Sequence, residues 1–176
     1  MSLKPQRSAA RAASGLSATG SIDMAFVQHN VQIPGTGYRI DVERFEEVLE
    51  LSATLRTIVA RFREVFMRMA LQAVACNALH VVERRLARWV LTTHDRSEAD
   101  LLLLTQEFLA GMLGVQRGAV NTAARGLQEH GLIDYARGKI TILDRAGLEA
   151  AACECYALIR GEITKLFPDL TPAPAT

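Results

Sequence analysis

One stretch of the sequence concentrates side chains that donate hydrogen bonds. Residues 116 to 128 alternate polar and apolar positions with the 3.6-residue period of an α-helix, which predicts one buried and one exposed face. The exposed face contains no carboxylate, so its donors could contact the base edges in the major groove of duplex DNA. Its members are Gln116, Arg117, Gly118, Asn121, Thr122, Arg125 and Gln128.

A shorter predicted helix precedes this one and would position it. Thr105 can cap that helix through its hydroxyl group, and Glu107 lies in its first turn, where the helix dipole favours an anion. Gly114 can adopt a left-handed backbone and end the helix, and Val115 can fill the space between the two helices. The apolar stripe of the first helix is Phe108, Leu109, Met112 and Leu113.

Two predicted strands follow the second helix. Ile133–Ala136 and Lys139–Leu143 are joined by the pair Arg137-Gly138, which is typical of a tight hairpin. Leu101–Leu104 predicts a further short strand before the first helix. Helix, turn, helix and cationic hairpin in this order predict a winged helix-turn-helix domain.

The same residues resemble the C-terminal DNA-binding domain of the bacterial cyclic-AMP receptor protein/FNR (Crp/Fnr) family of transcription regulators. The likeness is carried by LTQEFLAGMLGVQRGAV, LQEHGLI and RGKITILDRAGLE. It extends upstream through CNALHVVERRLARWVL and downstream to CECY. The resemblance implies a dimeric DNA-binding protein in which the second helix enters the major groove.

The resemblance makes Arg117 the leading base contact, because it matches an arginine that the family uses for guanine. The family's Arg-Glu-x-x-x-Arg pattern is not kept, since Gly118 replaces the acidic residue and Thr122 replaces the second arginine. Asn121 or Thr122 is expected to supply a replacement contact, and the target sequence is expected to differ from the best-known family site. The expected phosphate contacts are Thr105, Gln106, Gln116, Arg125, Arg137 and Lys139.

Residues 51–77 predict a long helix with a heptad seam. About 25 residues extend about 37 Å at 1.5 Å per residue, which is longer than a small winged domain can cover. Pairing with a second copy is therefore expected, as the family's dimerisation helix also implies, and an internal core helix is the alternative. The predicted interface residues are Leu51, Leu55, Ile58, Phe62, Val65 and Met69.

The N-terminal part predicts little independent structure. Residues 1–24 have the composition of a disordered tail. Residues 25–50 predict a hairpin and a short helix capped by Asp41, and the resemblance makes this region a remnant of the family's effector-binding β-roll. A naturally short protein and a fragment of a longer one are both consistent with the sequence.

No cofactor is expected. The family's phosphate-gripping cassette for cyclic nucleotides has no counterpart here, and the region that would meet the adenine falls near Ala70 and Leu71, which carry no hydroxyl group. The N-terminal cysteine cluster of the oxygen-sensing branch has no counterpart either. We therefore expect no cyclic-nucleotide response.

Two further helices are predicted around the winged domain, which is assigned to residues 78–167. In the helix Leu79–His94, Trp89 is expected in the core, while Glu83, Arg84, Arg85 and Arg88 face outward. A continuous helix is expected from Asp144 to Phe167, and residues 168–176 predict a disordered end. The core positions expected on this last helix are Leu148, Ala152, Cys155, Leu158, Ile159 and Phe167.

Cys153 and Cys155 invite a metal or redox interpretation. Side chains two positions apart on a continuous helix point about 200° away from each other. Together with Cys76 the two cysteines also lack the spacing of common zinc motifs. No metal site is therefore expected.

Composition limits the remaining classes. The chain of 176 residues has a net charge of +1, so any electrostatic contact with DNA must be local. No apolar run of about 18 residues occurs, which predicts a cytoplasmic protein without a membrane partner. The sequence contains no recognisable catalytic triad or phosphate-cradling glycine loop, so an enzyme is not expected.

Together these observations predict a mainly α (α+β) fold, in which a winged helix-turn-helix domain follows a long dimerisation helix. The expected function is a homodimeric, sequence-specific transcription regulator on a two-fold site in double-stranded DNA, with RNA polymerase as a further candidate partner. The alternative is an interaction protein without a sensor that heterodimerises with a longer relative and modulates it.

Overall fold

The computed structural model describes residues 36–97 and 101–166. Both predicted disordered ends lie outside this range, as do residues 25–35 of the predicted hairpin, and residues 36–40 form neither helix nor strand. Within the described range the fold is mainly α, as predicted. Its elements are α1 (Val42–Leu51), α2 (Ala53–Leu79), α3 (Val82–His94), β1 (Leu101–Leu103), α4 (Gln106–Leu113), α5 (Arg117–Glu129), β2 (Ile133–Ala136), β3 (Lys139–Ile142), α6 (Arg145–Ala151) and α7 (Cys155–Leu166).

The chain divides into two compact units, with the boundary between Arg68 and Met69 inside α2. In the first unit, α1 follows Asp41, but the Asp41 side chain makes no capping hydrogen bond, contrary to the prediction. Ser52 separates α1 from α2, and its hydroxyl oxygen accepts a hydrogen bond from the Leu55 amide at 3.2 Å. None of the helices described is long and apolar enough to cross a lipid bilayer.

The second unit is built around α3. This helix packs against α4, α5, α6 and α7, and its apolar side chains Leu86 and Val90 are fully buried. Trp89 belongs to the same core, as predicted, and its indole meets the Phe108 ring edge-to-face with centroids 5.7 Å apart. Since α3 contacts both α4 and α5, its side chains fix the platform from which α5 projects.

Two arginines of α3 depart from the prediction that they face outward. Arg85 and Arg88 are both buried. The Arg85 guanidinium donates a hydrogen bond to the carbonyl of Leu113, at the C-terminal end of α4. A helix end leaves carbonyls without partners and carries partial negative charge, so this contact satisfies an acceptor and ties α3 to α4.

The three strands form an antiparallel sheet in the order β1-β3-β2, with Leu102 opposite Ile140. The hairpin predicted for residues 133–143 is confirmed. Arg137 and Gly138 both have positive φ, at 51° and 76°, which is the geometry of the tight turns that favour glycine in two-residue hairpins. The Leu104 amide donates to the Gly138 carbonyl at 2.8 Å and holds this turn close to the start of α4.

The predicted continuous C-terminal helix is wrong, because it breaks between α6 and α7. Asp144 caps α6 by accepting a hydrogen bond from the Gly147 amide at 2.9 Å, and α6 ends where Ala152 adopts an extended conformation. The new start at Cys155 changes which side chains face the core. Leu158 is 54% exposed although it was predicted to be buried, whereas Leu148, Cys155 and Ile159 are buried as predicted.

A polar cluster joins the end of α3 to α6 and α7. The Arg145 guanidinium donates to the Asp95 carboxylate at 2.6 Å and to the Tyr156 hydroxyl oxygen at 2.8 Å. The Tyr156 hydroxyl donates to the other Asp95 oxygen at 2.9 Å. Burial, together with the Asp95 charge, raises the pKa of Tyr156 to about 12, so the phenol remains a donor throughout the physiological range.

Candidate nucleic-acid interface

The helix-turn-helix geometry follows from local chemistry. The Thr105 hydroxyl oxygen accepts a hydrogen bond from the Phe108 amide at 3.2 Å and caps α4, as predicted. Gly114 ends α4 in the left-handed conformation, with φ 64° and ψ 39°. The Val115 amide then donates to the Ala110 carbonyl at 3.0 Å, and the Val115 side chain packs against the core. These contacts fix the turn between α4 and α5.

The two predicted faces of α5 are both present. The apolar face is buried, and every residue of the predicted donor face is exposed. Burial of the apolar face holds the helix so that its polar side chains extend from the surface. The buried residues are Val120, Ala123, Ala124 and Leu127, and the exposed ones are Gln116, Arg117, Gly118, Asn121, Thr122, Arg125 and Gln128.

Gln106 connects two of the candidates for base contact, Arg117 and Asn121. The Arg117 Nε donates to the Gln106 Oε1 at 3.0 Å, and the Gln106 Nε2 donates to the Asn121 Oδ1 at 3.2 Å. The sequence predicted Gln106 as a phosphate contact and gave no sign of this link between α4 and α5. The bond to Arg117 uses Nε, so the two terminal nitrogens of the guanidinium extend beyond it. The link therefore orients the arginine without using the atoms best suited to contact guanine.

Thr122 and Gly118 lie one turn apart on the exposed face. The Thr122 hydroxyl donates to the Gly118 carbonyl at 3.1 Å, within the helix, so its oxygen can still accept a hydrogen bond. A Cβ atom built at Gly118 would meet no atom within 4 Å. Nothing in the described chain therefore requires glycine there, and the position is open to close approach by another molecule.

The hairpin of β2 and β3 forms the wing. Arg137 and Lys139 are exposed at its tip. The Tyr135 hydroxyl donates to the Leu104 carbonyl at 2.8 Å and anchors the hairpin to the segment before α4. Burial raises the pKa of Tyr135 although the nearby Arg117 charge opposes this, so the phenol stays protonated as a donor. The wing and the start of α5 belong to one surface, because Arg137 and Arg117 line the same depression.

A shallow depression of about 410 Å³ lies between the wing, α4 and α5. It brings together several residues predicted from the sequence to contact DNA. It also contains Glu107, which sequence reasoning assigned only to the first turn of α4. Its carboxylate lines the same depression as Arg117 and Arg137, and it would repel a phosphate that approached this edge of α4. The lining residues are Thr105, Gln106, Glu107, Arg117, Arg137 and Gly138.

Residues 84–151 match the family model of the Crp-like helix-turn-helix domain. The match runs from α3 to the end of α6 and includes α4, α5 and the wing. This chain contains a Crp-like helix-turn-helix domain. Within that domain the matched residues include every predicted DNA contact. Helix α2 and most of the C-terminal segment lie outside the match.

Three solved structures are similar to parts of this chain. A Crp/Fnr-family transcriptional regulator from Eubacterium rectale matches 62% of this chain and 51% of its own at 24% identity, with a TM-score of 0.50. A CRP-family transcriptional regulator from Thermus thermophilus matches 53% of this chain and 51% of its own, at 27% identity and a TM-score of 0.48. The catabolite activator protein of Thermus thermophilus matches 63% of this chain and 52% of its own, at 21% identity and a TM-score of 0.39.

This chain therefore spans about half the length of the solved structures that it matches. None of the curated proteins matches it. The likeness to the first structure shows the fold, and the match to the Crp-like domain adds the placement of the helix-turn-helix and the wing within the sequence.

The six residues predicted to form the dimer interface do not share one exposed face of α2. Leu51 ends α1 and so does not belong to α2, while Val65 is 5% exposed in the single chain. Leu55, Phe62 and Met69 are half-buried, and Ile58 is exposed. A different apolar stripe of α2 is exposed, and its members follow each other at intervals of four, three and four residues: Met67, Leu71, Val74 and Ala78.

Proposed function

We propose that the chain is a sequence-specific, DNA-binding transcription regulator of the Crp/Fnr type that acts as a homodimer on a two-fold site. The observation that carries the proposal is the exposed face from Gln116 to Gln128, which contains no carboxylate before Glu129 ends α5, held in a Crp-like helix-turn-helix domain. A face of this kind presents hydrogen-bond donors to the major groove, and its first three turns bring no negative charge towards the phosphates.

Arg117 is the proposed main base contact, since its terminal nitrogens can donate to O6 and N7 of one guanine. The Gln106 link supports this role because it restricts the side chain before DNA arrives. Asn121 is the second proposed contact, and its amide suits an adenine edge. Thr122 completes the set, while Gly118 allows the groove floor to approach the helix closely.

Phosphate contacts would set the position of the domain along the duplex. Thr105, Gln106 and Gln116 lie at the starts of α4 and α5, where exposed amide groups and the helix dipole favour an anion. Arg125 lies further along the exposed face of α5, and Arg137 and Lys139 extend from the wing. These contacts contribute to affinity for any sequence and to its salt dependence.

Homodimerisation is proposed through the exposed stripe of α2. Leu71 is 63% exposed and Val74 is 69% exposed, and a second copy of the helix would cover both. The four-three spacing of the stripe suits a pair of parallel helices. Such a pair would place two copies of α5 about 34 Å apart, one turn of the DNA helix.

We propose that no cyclic nucleotide is needed for this activity. Ala70 and Leu71 supply no hydroxyl group where the family's adenine contacts fall. RNA polymerase is a further proposed partner of the DNA-bound dimer.

Binding-site selection from a random duplex library, performed at two salt concentrations, tests the proposal. We expect recovery of a two-fold sequence whose half-sites are about one helical turn apart. Salt-sensitive binding without any recovered motif would contradict sequence-specific recognition and favour an architectural role. The selected duplex then serves as the cognate site for the variants below.

Arg117→Ala should weaken binding to the selected site by about 1–3 kcal/mol and relax preference at one base pair of each half-site. Fluorescence anisotropy with the selected duplex and with single-base variants measures both effects. Arg125→Ala is the matched control, because it removes an exposed arginine from the same helix and should weaken all sequences alike. An Arg117→Ala protein that keeps its full sequence preference would contradict the assignment of Arg117.

Lys139→Ala should weaken binding to selected and random duplexes to a similar extent. Loss of one phosphate contact should make the slope of log K against log salt shallower by about one unit. Titrations at several salt concentrations measure the slope, and Lys165→Ala on α7 provides the control. Unchanged binding of the Lys139→Ala protein to random duplex would exclude a phosphate contact from the wing at this residue.

A further inference from the structure

Four side chains outside the proposed DNA surface converge on one point. Cys76 and His80 lie four residues apart at the end of α2, so they occupy the same side of that helical turn. Cys153 lies in the break between α6 and α7, and Cys155 is the first residue of α7. The three thiols are buried, and the His80 side chain is largely covered.

The distances within this group suit a single metal ion. The Sγ atoms of Cys76 and Cys153 are 3.5 Å apart, and the Cys155 Sγ lies 3.5 Å from the His80 Nδ1. One ligand atom from each of the four residues lies within 4.8 Å of all the others. A tetrahedral zinc ion with metal–sulfur distances of about 2.3 Å and metal–nitrogen distances of about 2.0 Å separates its ligand atoms by about 3.5–3.8 Å.

We propose that Cys76, His80, Cys153 and Cys155 bind one tetrahedral transition-metal ion of the Zn²⁺ class. Three thiolates and one imidazole are the donors that soft and borderline divalent ions prefer, and four protein ligands leave no open coordination position. On binding, each cysteine loses its thiol proton to solvent as a sulfur–metal bond forms, and no electron is transferred. The site is structural rather than catalytic.

The surroundings of the ligands support this assignment. The Nε2 of His80 is 3.1 Å from a carboxylate oxygen of Glu154, which would hold the proton on Nε2 and direct the Nδ1 lone pair towards the thiols. A carboxylate behind a ligating histidine is the usual arrangement in zinc sites. The Gln72 Nε2 donates to the Cys155 Sγ at 3.0 Å, so a second polar group positions a ligand sulfur.

The net charge of the proposed metal site is also consistent with its surroundings. An ion of charge +2 with three thiolates leaves one net negative charge, which a nearby cation would stabilise. The buried Arg88 supplies one, and its Nε has no hydrogen-bond partner among the residues described.

Two other uses of these cysteines are less consistent with the geometry. A disulfide requires about 2.05 Å between sulfurs, and all three cysteines are free thiols here. A disulfide between Cys76 and Cys153 would also not explain why the Cys155 thiol and the Glu154–His80 pair lie beside these two cysteines. A multi-iron cluster needs its ligands further apart than one ion does, and this group is too compact for it.

The ion would join two parts of the chain that are far apart in sequence. Cys76 and Cys153 are separated by 77 positions, and the bond network would fasten the end of α2 to the α6–α7 junction. A closed site of this kind stabilises the folded state, since the unfolded chain does not preform it. This inference does not depend on DNA binding.

Metal analysis of the full chain, purified with a reductant under inert gas, tests the site. We expect about one zinc ion per chain by mass spectrometry, and cobalt substitution should give the visible bands of a tetrahedral ion with thiolate charge transfer. His80→Gln and Cys153→Ser should remove most of this binding, while His130→Gln on α5 should not change it. Glu154→Gln should lower metal affinity about 10- to 100-fold, against no change for Glu129→Gln.

Circular dichroism separates loss of metal from loss of fold. Should Cys153→Ser fail to fold, Glu154→Gln decides, because Glu154 is 66% exposed and its replacement leaves the core intact. The proposal is overturned if the reduced protein binds neither zinc nor cobalt, if cobalt is bound without thiolate charge transfer, or if a multi-iron spectrum appears. Metal binding that survives both His80→Gln and Glu154→Gln would overturn it too.

Discussion

Replacing Leu71 with glutamate should convert the proposed homodimer into monomers. The side chain lies on the exposed apolar stripe of α2, and two carboxylates facing each other across a helix pair would be desolvated without partners. A dimer binds its second half-site as an intramolecular event. Monomers should therefore bind the two-fold duplex about 100- to 10,000-fold more weakly, while their affinity for a single half-site remains unchanged.

Sedimentation velocity measures the oligomeric state, and anisotropy titrations with two-fold and half-site duplexes measure the two affinities. Leu158→Glu is the matched control, since Leu158 is also an exposed leucine but lies on α7. A Leu71→Glu protein that remains dimeric would exclude this stripe of α2 as the interface. A wild-type protein that is monomeric and binds DNA poorly by itself would favour a heterodimer with a longer relative.

Leu127→Ala should lower the free energy of unfolding by about 2–5 kcal/mol. Leu127 is fully buried between α5 and the rest of the core, so truncation loses apolar burial and leaves a cavity beneath the proposed recognition helix. Urea denaturation followed by circular dichroism and Trp89 fluorescence measures the change. Trp89 reports on this core because it belongs to the same cluster.

The same substitution at Leu158 is the control for Leu127. Leu158 is 54% exposed, so Leu158→Ala should change the free energy of unfolding by less than about 1 kcal/mol. If the two variants lose similar stability, the break between α6 and α7 is misplaced and Leu158 belongs to the core after all.

The sequence by itself determined the helix-turn-helix and the wing. Each depends on a short-range signal: the Thr105 hydroxyl caps α4, Gly114 supplies the left-handed residue that ends it, and Arg137-Gly138 closes the hairpin. The period of the apolar residues in α5 decided which of its faces is exposed. Such signals act within a few residues, so they can be recognised without knowing what the rest of the chain does.

Tertiary structure decided features that depend on residues distant in sequence. Arg85 has the spacing of an exposed position, yet it is buried and donates a hydrogen bond to the Leu113 carbonyl at the end of α4. Val65 continues the heptad pattern of α2 equally well, but it is buried in the single chain. Periodicity indicates that a helix has an apolar side, whereas it does not indicate which element will cover that side.

The contacts of Gln106 and of the three cysteines also depend on residues that are distant in sequence. Gln106 holds Arg117 and Asn121 only because α4 and α5 cross at this turn. The spacing of Cys153 and Cys155 predicts divergence on a continuous helix, but the chain breaks at Ala152 and brings both thiols to Cys76. A helix interruption with no proline or glycine at the break leaves little trace in the sequence, whereas in the fold both α6 and α7 pack against α3.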